Sequence, residues 1–569
     1  LNRPIETVDP CGHRVKAVYD CLGNVTEVQF EDGCSEFYEY DLTGKITAFT
    51  DRSGYRREYT FNHMGRLTEV SDALGCLETY EYYPGGLLKK ESLIDGSERE
   101  FCYDRNENLI EVREKDSACW SFTYDALGRV IRAEEADGSS EAYEYDAMGN
   151  IISVTDGEGN RISYGYTARG QIREVKDGCG NETRYVYDSC GRLIQVLQPE
   201  NGRFDGDYVN QFNQNQKEIR TTNYHRDLAG NITEVCDPEG NVISYKYDGN
   251  GRILSQTDKD GYEIRCFYNP DGTEQKYEFS DGKSILLRYN ALKQLTEMED
   301  WLGVTKVRLD KMGRPEEVSV SSGEKIAYEW GLRGEKRRIV YPNGQVCDYH
   351  YDASMRLSEC RIGEEKVSYH YYNNGKLKEK CLPYNVNIQM TYHPSGKIRQ
   401  LTHTQSEQLI GKFIYGYDKA ERKNRMETET PEGKTVTEYR YNKAGSLVSV
   451  WTDGEETEAY RYDPFGNRSW SRNRKGEQSY QYNRLNQLIE RKDFEGEHYY
   501  TYDRRGNLRQ EFLKDQIIRK LDFDERNQLS SVEVNGMMAV YGYNGFGERV
   551  SRSVIQNGTV TEKTDYVYD

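Results

Sequence analysis

Tyr38-Glu39-Tyr40-Asp41 returns as Tyr143-Glu144-Tyr145-Asp146 and as Tyr500-Thr501-Tyr502-Asp503. The Asp position recurs at Asp20, Asp41, Asn62, Tyr83, Asp104, Asp125, Asp146, Thr167 and Asp188, eight consecutive steps of 21. It resumes at Asp227 and continues to Asp569, giving 26 copies, 21 of them with Asp or Asn at the anchor. A fixed period of this length outranks local propensity in deciding a fold.

Residues i and i+2 of a strand share a face, so the two rings of each motif point the same way. Three residues after the anchor there is usually Gly. Asp opening and Gly closing a four-residue stretch is turn chemistry, because Asp bonds the backbone two residues on and Gly accepts positive φ. Six copies carry the full set: Tyr38, Tyr40, Asp41 and Gly44; Tyr143, Tyr145, Asp146 and Gly149; Tyr185, Tyr187, Asp188 and Gly191; Tyr245, Tyr247, Asp248 and Gly251; Tyr460, Tyr462, Asp463 and Gly466; Tyr500, Tyr502, Asp503 and Gly506. These are the repeat-defining structural residues.

A second turn falls half a period later, as in Asp51-Arg52-Ser53-Gly54 and Asp237-Pro238-Glu239-Gly240. Each repeat therefore reads strand, turn, strand, turn, the all-β signal. The stretches between, such as Gly65-Arg66-Leu67-Thr68-Glu69-Val70, hold Gly too densely for helices and show no 3.6-residue period.

Two strands per repeat predict ~52 strands, and at ~4.8 Å between neighbours one sheet would run roughly 250 Å. Open sheets of more than ~10 strands curl, split or flatten, so the ribbon has to wind. The expected fold is all-β: tandem hairpins in one antiparallel sheet that winds on itself as a single-layer shell, to which the family resemblance given below adds the spiralling, hollow form. A leucine-rich repeat needs an L-x-x-L-x-L spacing that is absent. A parallel β-solenoid is the remaining alternative, and two turns half a period apart favour hairpins over it. Residues 1–569 read as one continuous array, interrupted by an inserted polar loop over 198–220, where one step spans 39 residues instead of 21.

Composition agrees with a shell. Hydrophobic residues are 36% of the chain, where globular domains hold ~45 to 50%. The 48 Tyr residues supply apolar area with a hydroxyl that stays near water. The net charge of -19, with both signs interleaved, disfavours nucleic acid. No apolar run is long enough for a membrane span. Thirteen Cys is an odd count with no C-x-x-C pair, which argues against a zinc site and for thiols that are mainly reduced.

No metalloprotease, nucleophile-elbow or EF-hand motif occurs. Gly282-Lys283-Ser284 and Gly433-Lys434-Thr435 lack the upstream Gly of a phosphate loop. Cys11-Gly12-His13 is read as a turn and not as a nucleophile and base. The turn Asp residues suggest calcium, but each already has a local role. Asn24, Asn181 and Asn231 match glycosylation acceptors and arise where a turn Asn meets a strand. No catalytic, cofactor or metal residue is assigned.

The stretches Phe122-Thr123-Tyr124-Asp125-Ala126-Leu127-Gly128-Arg129-Val130 and Tyr185-Val186-Tyr187-Asp188-Ser189-Cys190-Gly191-Arg192-Leu193 resemble the YD repeat of Rhs proteins over nearly the whole chain. That family includes bacterial Rhs toxins, the B and C components of Tc toxins and animal teneurins. The resemblance implies a spiralling hollow β-shell, in the bacterial toxins one that encloses a variable C-terminal toxin. It also implies a secreted or cell-surface bacterial protein, used in competition between cells. The family's Asp-Pro-x-Gly-Leu signature is not found, and the chain ends inside a motif at Tyr566-Val567-Tyr568-Asp569, so it reads as a segment of a longer protein. The expected partner is its own C-terminal toxin domain; export machinery and carbohydrate are further candidates, the latter under the alternative reading of a surface adhesin.

Overall fold

The computed structural model describes residues 3–115, 119–204 and 219–568. Among them are 52 strands, numbered in chain order from β1 (Glu6–Val8) to β52 (Thr559–Asp565), and no α-helix. A single 3-10 turn at Pro383–Asn385 is the helical content of the described residues. Every strand pairs antiparallel with the strands before and after it in sequence, which makes one open sheet of hairpins. The parallel solenoid is thereby excluded.

The anchor turn shows why the motif folds locally. Asp41 N–H donates to Lys45 O at 2.9 Å, and Gly44 N–H donates to Asp41 O at 3.0 Å. Gly44 takes φ 84°, a left-handed position that a Cβ would strain. This is the three-residue hairpin built on a type I turn. Beyond it Glu39 faces Ala48 while Tyr40 faces Ile46, so Thr47 is an extra residue that bends the strand. The same shift recurs at Tyr145, Tyr187, Tyr247, Tyr462 and Tyr502.

The half-repeat turns change character along the chain. As far as Gly344 most are three-residue hairpins closed by Gly, opened by Asp at Asp9, Asp51, Asp156, Asp177, Asp237 and Asp258 and by other residues, such as Phe30, Glu135 and Tyr341, elsewhere. From Gly363 onward they are almost all two-residue turns, including Asn535-Gly536 and Asn557-Gly558 with φ of 51° and 76°, and 50° and 76°. The half-repeat turn is expected of each repeat, but its Asp-x-x-Gly form is not kept there: where two adjacent residues are left-handed, as at Asn535-Gly536, Asn557-Gly558 and Ser406-Glu407, they match the right-handed twist of the flanking strands without a third loop residue.

Gln198 and Pro199 end β19 (Leu193–Pro199), and Ile219 and Arg220 begin β20 (Ile219–Arg226), paired Gln198 with Arg220 and Pro199 with Ile219. The excursion therefore occupies 200–218, of which 205–218 lies outside the described residues.

The sheet closes on itself through its turns. The hairpin of β7 (Leu67–Asp72) and β8 (Gly75–Tyr82) meets that of β30 (Lys325–Trp330) and β31 (Lys336–Val340), 23 strands on, through Asp72 and Arg333. That of β13 (Val130–Glu135) and β14 (Ser140–Tyr145) meets β36 (Val386–Tyr392) and β37 (Ile398–Gln405), again 23 strands on, with Lys397 Nζ 3.3 Å from Asp137. That of β27 (Leu295–Asp300) and β28 (Gly303–Leu309) meets β50 (Met537–Tyr543) and β51 (Arg549–Gln556) at the same interval, with Gly545 N–H donating to Asp300 at 2.5 Å.

The residue offset falls from 261 for Asp72 and Arg333 to 245 for Asp300 and Gly545, yet the strand offset stays constant. The extra residues fall in the 39-residue step between Asp188 and Asp227, which adds no described strand. At 23 strands a winding measures about 110 Å around, and 52 strands make a little over two windings. Eleven buried apolar residues among those described, Ile326, Ile339 and Met298 the most enclosed, are far too few to fill such a ring. The fold is a spiral, hollow β-shell.

Candidate functional site

Two structures recur along the shell: the bracket around each anchor and the seam between windings. In the bracket the anchor carboxylate accepts backbone N–H bonds. Asp41 Oδ1 accepts from Thr43 N at 2.8 Å and Lys45 N at 3.0 Å. Asp146, Asp188, Asp248, Asp463 and Asp503 accept from Asn150, Arg192, Arg252, Asn467 and Asn507 at 2.8 to 2.9 Å.

The other carboxylate oxygen explains why Arg or Asn follows the Gly: Arg192 Nε lies 2.7 Å from Asp188 Oδ2 and Asn150 Nδ2 2.9 Å from Asp146 Oδ2. The Thr43 hydroxyl at Asp41 and the Asn150 amide at Asp146 hold those carboxyls below their ordinary range. Gly44, Gly149, Gly191, Gly251, Gly466 and Gly506 all lie at φ between 79° and 99°.

The second Tyr of each motif ties one repeat to the last. Tyr40, Tyr145, Tyr187, Tyr247, Tyr462 and Tyr502 donate their hydroxyls to the carbonyls of Val25, Val130, Ile172, Ile232, Leu447 and Leu488 at 2.6 to 2.9 Å. The first Tyr packs across the next strand. Tyr143 and Tyr185 stand opposite Val154 and Val196, Tyr38 opposite Phe49, and Tyr245, Tyr460 and Tyr500 opposite Gln256, Ser471 and Glu511. Burial first, then Glu36 and Glu141, pushes Tyr38 and Tyr143 up to about 12. The six sets sit on separate hairpins and do not converge on one site.

Asn62, Asn290 and Thr167 accept the same backbone N–H groups without a carboxylate, whereas the aromatic anchors use a different device. Tyr83 and Tyr372 donate to Phe101 O and Met390 O at 3.1 and 3.0 Å, and His393 Nε2 lies 3.0 Å from Tyr415 O. These rings reach the next repeat, a role the one-dimensional motif did not disclose. The amides of Asn24, Asn181 and Asn231 close onto Asp20, Asp177 and Asp227 at 2.8 to 2.9 Å. All thirteen Cys are free thiols.

The seam joins unlike edges. Half-repeat turns of the first winding meet anchor turns of the second, and donors stand on both sides: from the first, Trp301 Nε1 donates to Tyr543 O at 2.9 Å and Ser280 Oγ to Glu525 at 3.0 Å. Arg333 makes a bidentate pair with Asp72 at 2.5 and 2.6 Å, with the side chains 10% and 1% exposed. Arg356 donates to Asp95 O at 2.9 Å, Lys419 N–H to Glu158 at 2.9 Å, and Arg505 Nε to Asp260 at 3.1 Å. At the foot of the excursion Arg220 donates to Asn486 at 2.5 Å and stacks on Phe465. Gly178 permits the approach, since a Cβ there would lie 1.8 Å from Lys443 O.

A two-edged ribbon of Tyr-Asp hairpins that seals onto itself defines a YD-repeat β-shell. The family profile of the teneurin YD-shell matches residues 9–142, 132–298 and 383–562. The chain belongs to that family. Double-stranded DNA deaminase toxin A of Burkholderia cenocepacia (strain H111) is 26% identical over 166 residues, 29% of this chain and 11% of that protein. A crystal structure of TcdB2-TccC3-TEV superposes with a TM-score of 0.63 at 13% identity, over 100% of this chain and 40% of that one. TcdB2-TccC3 gives 0.60 at 16% over 97% and 38%, and the Photorhabdus luminescens Tc holotoxin pore 0.59 at 12% over 97% and 40%. The likeness to these structures is one of fold, and the chain spans about two fifths of their length.

Proposed function

We propose that the chain is the structural shell segment of an Rhs-type secreted toxin and that the wound sheet encloses a C-terminal effector carried outside these 569 residues. The observation that carries this reading is the seam at a constant 23 strands, because it converts a ribbon into a walled space. The role is architectural and not enzymatic, since the carboxylates and hydroxyls described above are committed to turns and to carbonyls. Release outside the producing cell, through export machinery, is part of this reading and is compatible with the chain's net charge of -19. No helix of the described residues is long and apolar enough to cross a membrane.

The adhesin reading needs Tyr faces free to stack on sugars. The engagement of Tyr40, Tyr145 and their counterparts with backbone carbonyls weighs against it. The test is protease protection in the full-length protein. The C-terminal domain should resist digestion while the shell is folded and become sensitive when the shell is opened; free digestion in the native protein would favour the adhesin.

A further inference from the structure

The residue facing the first aromatic of a motif is repeatedly Val: Val70 faces Tyr59, Val112 faces Phe101, Val175 faces Tyr164 and Val450 faces Tyr439. In two consecutive repeats that position is charged, as it also is at Glu91, Lys380 and Arg552. Arg491, on β45 (Leu488–Asp493), faces Tyr480, and Glu511, on β47 (Leu508–Leu513), faces Tyr500. Between them, on β46 (Gly496–Tyr502), stands His498, which is 2% exposed.

The groups form a chain across four strands. Arg519, on β48 (Gln516–Phe523), donates to Glu511, whose Oε1 lies 3.3 Å from His498 Nδ1, near but not aligned for a hydrogen bond. Arg491 Nη2 lies 3.0 Å from His498 Nε2, and Arg491 Nε lies 3.1 Å from Asp493 Oδ2. Asp493 and Glu511 side chains are 5% and 9% exposed. Asp493 Oδ1 is also 3.7 Å from His498 Nε2, Glu495 sits in the intervening turn, and Tyr480 and Tyr500 close the sides.

A guanidinium can only donate, so the 3.0 Å contact requires a lone pair on His498 Nε2 and a neutral imidazole. The cluster then sets Arg491 and Arg519 against Asp493 and Glu511, with the Glu495 carboxylate within 4.8 Å of the ring. Protonation would set N–H against N–H at that contact and remove the lone pair that Arg491 uses. Either Arg491 leaves His498, or the hairpin opens.

We propose that His498 is a pH-sensitive latch at the rim of the second winding, holding β45 to β48 together when neutral and releasing them on acidification. The proposal does not depend on whether the shell encloses anything. Histidine is the side chain whose charge ordinarily changes between about pH 5 and 8.

Hydrogen exchange on this chain at pH 7.5 and pH 5.5, corrected for intrinsic rates, tests the latch. Protection of peptides from 488–523 should fall about tenfold relative to 242–268 on acidification. In His498→Gln, whose amide can accept from Arg491 and donate to Glu511 without titrating, that fall should vanish. An unchanged wild type, or a variant with the same loss, would overturn the proposal. If the variant does not fold, histidine-labelled NMR of the wild type decides: a His498 resonance that titrates with no change in neighbouring amides would overturn it, and coupled changes would support it.

Discussion

Arg333 and Asp72, 261 residues apart in sequence, form a bidentate ion pair at 2.5 and 2.6 Å in which the carboxylate is 1% exposed and also receives the Tyr55 hydroxyl at 2.8 Å. Removing Arg333 leaves a buried, unpaired charge, a loss of about 3 kcal/mol where a pair is broken from one side. Arg333→Ala should therefore raise hydrogen exchange in the turns at 72–75 and 331–334 while distant hairpins such as 242–257 keep their protection.

Acid should unseal the shell before it melts the sheet. The Arg333 hydrogen bond holds Asp72 at about 2, below its ordinary 3.8. On Asp137 burial works the other way, but Ser139, Ser395 and Lys397 leave it depressed as well. A depressed carboxylate contributes stability above its unfolded value and loses it as pH falls toward its folded value. For Asp72 the window lies between about pH 4 and 2. Small-angle scattering should report expansion there while far-ultraviolet circular dichroism still reports strands; simultaneous loss of both would contradict a separate seam.

The bracket is predicted to be additive and local. Tyr40→Phe removes a 2.8 Å bond to Val25 O and should cost about 1 kcal/mol, read as faster exchange in 25–46 alone. Asp41→Ala, which orphans the N–H groups of Thr43 and Lys45, should cost more and speed exchange in the 41–45 turn itself.

Gly178→Ala probes the seam by steric means. Its Cβ would lie 1.8 Å from Lys443 O, whereas a Cβ at Gly249 meets nothing within 4 Å. The first substitution should destabilise by about 1 to 3 kcal/mol through overpacking and expose the 442–446 turn to protease. Gly249→Ala should leave both winding and cleavage unchanged.

The period and turn chemistry made the strands, their antiparallel pairing and the winding legible before any coordinate. Asp41 and Gly44 are local instructions, decided within five residues, and so they read directly from sequence. The 23-strand interval did not, because it depends on the accumulated twist of the sheet and on contacts such as Lys397 with Asp137 that no short window contains. The switch to two-residue turns was partly visible in Asn535-Gly536 but hidden at Lys514-Asp515, where two ordinary residues take φ of 50° and 67°. Arg491 and Glu511 were not singled out by the repeat, because Glu91, Lys380 and Arg552 are charged at the same position and only the buried His498 between the two sets them apart.

Zero-length carbodiimide cross-linking of the unmodified chain, read by mass spectrometry, tests the closed winding most directly. Lys397 Nζ lies 3.3 Å from Asp137 Oδ2 across the seam, 260 residues away in sequence, whereas an unwound ribbon would hold the two about 110 Å apart. The account predicts an intramolecular link from Lys397 to Asp137 or to its neighbour Glu135, with no mixed-isotope product when labelled and unlabelled chains are combined. Links from Lys397 confined to its own hairpin and the adjoining strands, or found only between chains, would contradict it.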